Sequence, residues 1–234
     1  MTTAIVLAAG LSRRMGEVNK LLLPFGKKTI LETTLDNILS SDIEVVLIVI
    51  GHEAQQVKKV LDDYLRRNIG LRRKFFIVEN PDYENGITTS IQAGVKASKS
   101  ITAENHNSQF STQNNSLPST THNSQFTTHN YMICLSDMPL ISADEYSFLK
   151  NQFEDVLKQD EKAIVQPIFK GKRGNPTIFS SFYENEILNL LDTEGCKPIV
   201  QAHKNHVYLV EMPTPSILKD IDNEEEYLLV KNEK

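Results

Sequence analysis

At 234 residues and 26.5 kDa, the chain can bury a sizeable core within one α/β domain, and its net charge of −5 argues against sequence-independent nucleic-acid binding, which needs a basic surface. Its two cysteines, Cys134 and Cys196, are too few and too far apart for a disulfide framework or a metal cluster, so a reducing, cytoplasmic setting is expected. No apolar stretch reaches the roughly 18 residues of a membrane span, and no basic region followed by a long apolar segment opens the chain, so no membrane partner is expected.

In chain order, Thr3–Ala9 (TAIVLAA) reads as a strand that is apolar on both faces, as a sheet covered by helices requires. It leads into LAAGLSRRMGEVNKLL, where Gly10 is followed within ten residues by Arg13, Arg14 and Lys20. A glycine directly after a buried strand lets the backbone turn and expose amide N–H groups. With arginine and lysine nearby, such a turn makes a cradle for phosphate oxygens, with a plain turn carrying surface arginine and lysine as the alternative. It is not a GxxxxGK[ST] loop, because Gly16 comes one residue late and is followed by Glu17; it is not GxGxxG either, because Leu11-Ser12 offers no second glycine.

Helical spacing over Ile30–Leu39 and Ala54–Arg67 alternates with apolar runs at Val45–Gly51 and Lys74–Asn80, which predicts a largely parallel sheet. Glu84–Ile91 (ENGITTSI) opens a further helix, with Gly86, Thr88, Thr89 and Ser90 offering amides and hydroxyls to a base, ribose or phosphate, or forming an ordinary helix cap. From about 100 to 130 the composition turns to Ser, Thr, Asn, Gln and His, and HNSQF occurs twice. Such a segment cannot fill a core and is expected to be an inserted loop.

Tyr131–Asp137 reads as the next strand, and an aspartate at the C-terminal end of a parallel strand faces the ligand crevice of an open α/β sheet. Asp137 is therefore a candidate oxygen ligand for Mg²⁺, with a helix cap as its plain structural alternative. A helix over Ala143–Lys158, a strand over Ala163–Phe169, helices over Ser181–Leu191 and Pro198–His203, and a strand over Val207–Met212 complete the expected elements. Between them GKRGNP (Gly171–Pro176) reads as a tight loop whose Arg173 and Asn175 could hold an anionic second substrate, or as an ordinary hairpin turn. In KDIDNEEEY, Asp220 and Asp222 project to one side if extended, ahead of a helix rich in early acids; a solvated, capped helix start is the plain reading of the stretch taken alone.

Together these stretches resemble the nucleotidyltransferases similar to molybdenum cofactor cytidylyltransferase and its guanylyltransferase relative. The likeness runs through LAAGLSRRMGEVNKLL, NGITTSI, LSDMPLI, GKRGNP, TEGCK and DIDNEEEY, nearly the whole chain apart from the polar insertion. It implies a single Rossmann-like three-layer α/β/α domain over 1–234, of the nucleotide-diphospho-sugar transferase type, with a mostly parallel sheet. The triphosphate would be held at Ala8, Ala9, Gly10 and Leu11 with Arg14 and Lys20, and flanked by Gly86, Thr89 and Ser90. Lys20, Arg14 and Asp137 would be catalytic, Asp137 would bind Mg²⁺ with Asp222 or Asp220, and Arg173, Gly174, Asn175 and Pro176 would face the pterin.

The implied reaction joins CMP from CTP to the terminal phosphate of molybdopterin, the molybdenum cofactor, and releases pyrophosphate; a molybdenum hydroxylase is a candidate recipient of the product. GTP in place of CTP, a sugar or alcohol phosphate as acceptor, and a non-catalytic cofactor delivery protein are the alternatives. Departures from the family pattern are Ser136 for glycine, Ile87 for methionine and Asn223-Glu224 for Thr-Pro.

Overall fold

The structure, a computed structural model, describes residues 1–11, 18–68, 70, 75–107, 129–191 and 193–231, with the backbone alone for 101–107. Arg14 and the polar segment from 108 to 128, which holds the second repeat and most of the first, lie outside the described residues. Strand β1 (Thr2–Ala8) is buried along its whole length. A short hairpin, β2 (Pro24–Phe25) with β3 (Lys28–Thr29), leads into α1 (Ile30–Leu39), β4 (Val45–Ile50), α2 (Ala54–Arg67), β5 (Phe75–Glu79), α3 (Ile87–Asn107) and β6 (Asn130–Leu135). The second half carries α4 (Ala143–Leu157), β7 (Ile164–Phe169), β8 (Lys172–Arg173), β9 (Thr177–Phe179), α5 (Glu184–Leu188), α6 (Lys197–Ala202), β10 (Val207–Glu211) and α7 (Glu224–Lys231).

Eight strands form one sheet in the order β10-β7-β9-β6-β1-β4-β5, with β8 added to β7. β1 pairs in parallel with β4 and β6, β4 with β5, and β10 with β7; β9 runs antiparallel to both of its neighbours. The expected parallel sheet is therefore present, with two reversed strands, the short β8 at its edge and β9 within it, and the sequence does not announce β9. Three residues directly after Pro176, Thr177 to Phe179, are too few for a period to be read. The chain winds outward from β1 through β4 to β5, then crosses back to lay β6 on the other side of β1. Such a reversal opens a crevice at the carboxyl ends of the strands on either side of it.

Alternation along β1 divides the core into two layers. Ala4, Val6 and Ala8 join Leu35 and Ile38 of α1, Leu61 of α2 and Phe153 of α4, whereas Ile5 and Leu7 join Val95 of α3, Ile187 of α5 and Ile199 of α6. Helices thus cover both faces. Two of them start on reciprocal capping boxes, Thr29 with Glu32 for α1 and Ser142 with Glu145 for α4.

Three boundaries differ from the sequence reading. Helix α3 continues to Asn107, inside the segment expected to be a loop, because it is already propagating when the composition turns polar. At the other end of that segment His129 is buried, with its Nδ1 2.7 Å from the Thr3 hydroxyl oxygen, so the insertion is narrower than 100–130. The helix expected over Ser181–Leu191 divides into a 3₁₀ turn at Ser181–Tyr183 and the short α5.

α3 lies so close to β1 that a Cβ on Gly94 would sit 2.5 Å from Ile5 Cγ2. Ile5 is wholly buried and branched at Cβ, so it cannot swing aside. Gly94→Ala is expected to destabilise the protein by about 1–3 kcal/mol, as core overpacking does, and a thermal melt that matches the wild type would contradict this packing.

Candidate active site

The crevice is built from the ends of β1 and β6. Beyond β1, Ala9 is buried, Gly10 is exposed and Leu11 is half-exposed. Among the described residues no atom lies within 4 Å of where a Cβ on Gly10 would be. The Ala9 carbonyl accepts from His52 N–H at 3.3 Å, which ties this turn to the end of β4. At Gly51 a Cβ would meet Tyr83 Cβ at 2.6 Å and Ala9 Cβ at 2.9 Å, so glycine alone lets Tyr83 lie against the turn.

Lys20 begins a 3₁₀ turn (Lys20–Leu22) capped by Asn19, whose Oδ1 accepts from Leu21 N–H at 3.1 Å. Leu21 is buried, and the Lys20 Nζ stands 2.5 Å from Asp137 Oδ2 and 2.8 Å from Asp222 Oδ1. Burial by itself would favour the neutral amine, but Asp137 and Asp222 outweigh it and raise the Lys20 pKa. Asp137 Oδ1 is also buried and has no hydrogen-bond partner among the described residues. An orphaned carboxylate oxygen beside a second carboxylate suits a hard cation that completes its shell with phosphate oxygens.

The C-terminal segment is anchored to this point. Ile221 N–H donates to the Asp137 carbonyl at 3.1 Å, and Ile221 packs with Phe25, Ile30, Tyr227 and Val230. Asn223 Oδ1 accepts from Glu226 N–H at 2.9 Å, and Glu226 Oε2 accepts from Asp222 N–H at 2.7 Å. The stretch is therefore both a capped helix start and a bearer of the site. Of its two aspartates, Asp222 reaches Lys20, whereas Asp220 does not line the cleft; burial, then Asp137 and Asp222, raise the Asp220 pKa.

The cleft holds about 500 Å³ between Gly10, Leu11, Lys20, Tyr83, Gly86, Ser90, Asp137 and Asp222. Ala8 is buried behind it. Thr89 faces a neighbouring groove instead, with its hydroxyl donating to backbone carbonyls at Gly86 and Asp82 and accepting from Asn80. Asn80 also donates to Ser90 at 3.0 Å, so one buried amide sets the helix start.

A second pocket, of about 540 Å³, adjoins the first across Ile87 and Leu135 and is edged by Gln166, Arg173, Gly174, Asn175 and Lys197. The turn that presents Arg173 is Lys170-Gly171, both at positive φ, and Lys172-Arg173 pair back on β7 as strand β8. Arg173 donates to Gln166 at 3.2 Å. A Cβ on Gly174 would lie 2.3 Å from the Ile217 carbonyl oxygen, which accepts from Asn175 N–H at 3.1 Å. Pro176, joined to Asn175 by a cis peptide bond, is buried and does not edge the pocket.

Three contributors were not singled out by sequence reasoning. Tyr83 walls the first cleft, Lys197 edges the second, and Glu145 holds the segment between them. The Ser142-x-x-Glu145 capping box is readable in sequence, but Glu145 also accepts from the hydroxyls of Thr214 at 2.6 Å and Ser216 at 2.8 Å, and these lie in distant sequence.

A mostly parallel sheet wrapped by helices, with a glycine turn, a lysine and two carboxylates meeting in its crevice, defines a nucleotide-handling α/β protein. Residues 4–207 match the MobA-like NTP transferase domain, and the chain belongs to that family. It is 34% identical over 93 residues to the molybdenum cofactor cytidylyltransferase of Escherichia coli (strain K12), covering 40% of this chain and 43% of that protein. It is 46% identical over 68 residues to a probable molybdenum cofactor guanylyltransferase of Methanosarcina mazei, covering 29% of this chain and 30% of that protein. Both matches thus span less than half of the relatives' lengths. A nucleotidyl transferase from Methanothermobacter thermautotroptrophicus superimposes with a TM-score of 0.72 over 100% of this chain and 97% of that one, at 20% identity, a likeness of fold. Among the described residues no helix is long and apolar enough to cross a membrane.

Glu145 supplies a pH test. Burial alone would raise its pKa, but donation from the Ser142 backbone and from the Thr214 and Ser216 hydroxyls holds it below the ordinary value of 4.5. Because the folded value is depressed, its stabilisation is complete above that ordinary value and is lost as the pH falls through the lower, folded one. Glu145→Ala is expected to cost about 1–3 kcal/mol at neutral pH by leaving the two hydroxyls unpaired. Its acid-unfolding curve should also lose part of the wild-type slope below pH 4.5; parallel curves would remove Glu145 from this role.

Proposed function

We propose that the chain acts as one catalytic domain that transfers CMP from CTP to the terminal phosphate of molybdopterin and releases pyrophosphate. The observation that carries this reading is the meeting of Lys20, Asp137 and Asp222 in the first cleft, beside a second pocket edged by Arg173 and Asn175. In this reading the amides from Ala8 to Leu11 and the Lys20 ammonium hold the triphosphate, Arg14 adds charge from the same loop, and Tyr83, Gly86 and Ser90 flank the nucleoside. The acceptor lies against Arg173, Gly174, Asn175 and Lys197.

Asp137 and Asp222 would hold Mg²⁺, and the buried, unpartnered Asp137 Oδ1 supports that fit. Once bound there, the ion would neutralise charge on the phosphoryl oxygens. An oxygen of the acceptor phosphate forms a bond to the α-phosphorus of CTP, and the bond from that phosphorus to the bridging oxygen of the β-phosphate breaks. The acceptor is already anionic near neutral pH, so no general base is required; positioning and charge stabilisation carry the rate. Lys20 is placed to follow the charge as it builds on the α-phosphate. A cytoplasmic site of action, and a molybdenum hydroxylase as recipient, complete the proposal.

GTP is the second reading, favoured by the higher identity of the short match to the guanylyltransferase-named relative. Pyrophosphate release from CTP, GTP, ATP and UTP with Mg²⁺, each with and without molybdopterin, separates the two. Release that requires the pterin and prefers CTP is expected. Lack of release with every triphosphate would overturn the enzymatic reading in favour of a delivery protein.

Two variants test the roles. Lys20→Ala is expected to lower kcat at least about 100-fold while changing triphosphate affinity less than about tenfold; an unchanged kcat removes Lys20 from the chemistry. Arg173→Ala is expected to raise the KM for the pterin about tenfold, leaving triphosphate affinity intact. A rise in triphosphate KM instead would move Arg173 to the other substrate.

A further inference from the structure

The Lys20 ammonium occupies one oxygen on each of two carboxylates, Asp137 Oδ2 at 2.5 Å and Asp222 Oδ1 at 2.8 Å. These are the residues assigned above to the divalent ion. The side chains of Lys20 and Asp137 are only 14% and 13% exposed, so water and salt screen their charges poorly. A dication placed beside the ammonium would set three positive charges against two negative ones. The donor set is short as well: Mg²⁺ or Mn²⁺ takes about six oxygen ligands, and no group of three or more His, Cys, Asp or Glu side chains that could hold a metal occurs among the described residues.

We propose that Lys20 and the divalent ion compete for Asp137 and Asp222, so that the ion enters the site only together with the triphosphate. This inference rests on the metal assignment made under the proposed function. The triphosphate resolves the competition in two ways. Its oxygens complete the coordination shell, and its negative charge draws the ammonium off the carboxylates onto a phosphate. An ammonium with three N–H donors can turn from one set of oxygens to the other by side-chain rotation alone. Lys20 is then more than a phosphate ligand: it keeps divalent ions out of the bare site and delivers Asp137 and Asp222 when the nucleotide arrives.

The test uses Mn²⁺ alone as probe, with the signal of the free ion read by electron paramagnetic resonance, on the full chain and on Lys20→Met. Methionine keeps the length of the stem without the charge. The variant is expected to bind Mn²⁺ at least tenfold more tightly than the wild type, even though it turns over more slowly. Equal affinities would overturn the competition. A measurement on the wild type alone guards against a variant that fails to fold: equilibrium dialysis of CTP with and without Mn²⁺, where reciprocity requires that whatever CTP does to Mn²⁺ affinity, Mn²⁺ does to CTP affinity. At least tenfold tighter CTP binding with Mn²⁺ is expected; no gain would overturn the proposal.

Asp137→Asn separates this inference from the reading beneath it. Tight Mn²⁺ binding that persists in an Asp137→Asn, Lys20→Met double variant would move the metal elsewhere and overturn both. Equal Mn²⁺ affinity in the wild type and Lys20→Met, abolished in each by Asp137→Asn, would overturn only the competition.

Discussion

The ion pair of Lys20 with Asp137 and Asp222 is the contact on which the site depends, because it joins three parts of the chain that share no local structure. Lys20 comes from the turn after β1, Asp137 from the end of β6 and Asp222 from the segment before α7. Nothing in the individual elements requires them to meet. The sheet order does: β6 lies directly beside β1, in register from Thr2 with Asn130 to Leu7 with Leu135, so the two strands end at the same level. The ends of two parallel neighbours can face one ligand only if their registers match, and here the parallel pairing sets both.

Asp222 has no strand to carry it, and a different device holds it. The Asp137 carbonyl accepts from Ile221 N–H, and Ile221 is buried against Phe25 and Tyr227. Farther back, Glu145 gathers Thr214 and Ser216, and Ile217 behind them presents its carbonyl to Asn175. One segment, from Thr214 to Asp222, therefore supports the Asp137–Asp222 side of the first cleft and the loop at the edge of the second. The two pockets are mechanically linked through it, without any contact between their own polar side chains being required. Tyr227 closes the arrangement by donating to the Pro24 carbonyl at 2.6 Å, just beyond the Lys20 turn.

The legible part of this design was the part with a period or a fixed spacing. The apolar runs at β1, β4 and β6 and the helical spacing of α1 and α2 fell where expected, and the alternation of strand and helix implied the parallel sheet. Asp137 was legible because its position at a strand end has a geometric meaning. Strand β9 was not, since a three-residue strand has no readable period, and Asp220 could not be separated from Asp222 because both lie on one side of an extended stretch. Only the anchoring at Ile221, whose N–H donates to the Asp137 carbonyl, distinguishes them. Thr89 shows the same limit: a hydroxyl in a helix's first turn serves a ligand or the backbone, and here it bonds Gly86 and Asp82.

Ser136 gives the departures from the family pattern a physical measure. The resemblance has glycine at this position, and a side chain pointing into the cleft would narrow it beside Asp137. Instead the hydroxyl turns onto the Leu7 carbonyl, 2.6 Å away, and the residue is buried. The substitution thus adds a cross-strand bond between β6 and β1 at the level where both enter the site, and Asp137 keeps its contact with Lys20. A hydroxyl that bonds within the sheet stiffens the seam between the two strands that carry the Gly10 turn and Asp137. Ser136 is therefore compatible with the same chemistry, and the departure marks how the strands are joined more than what they bind.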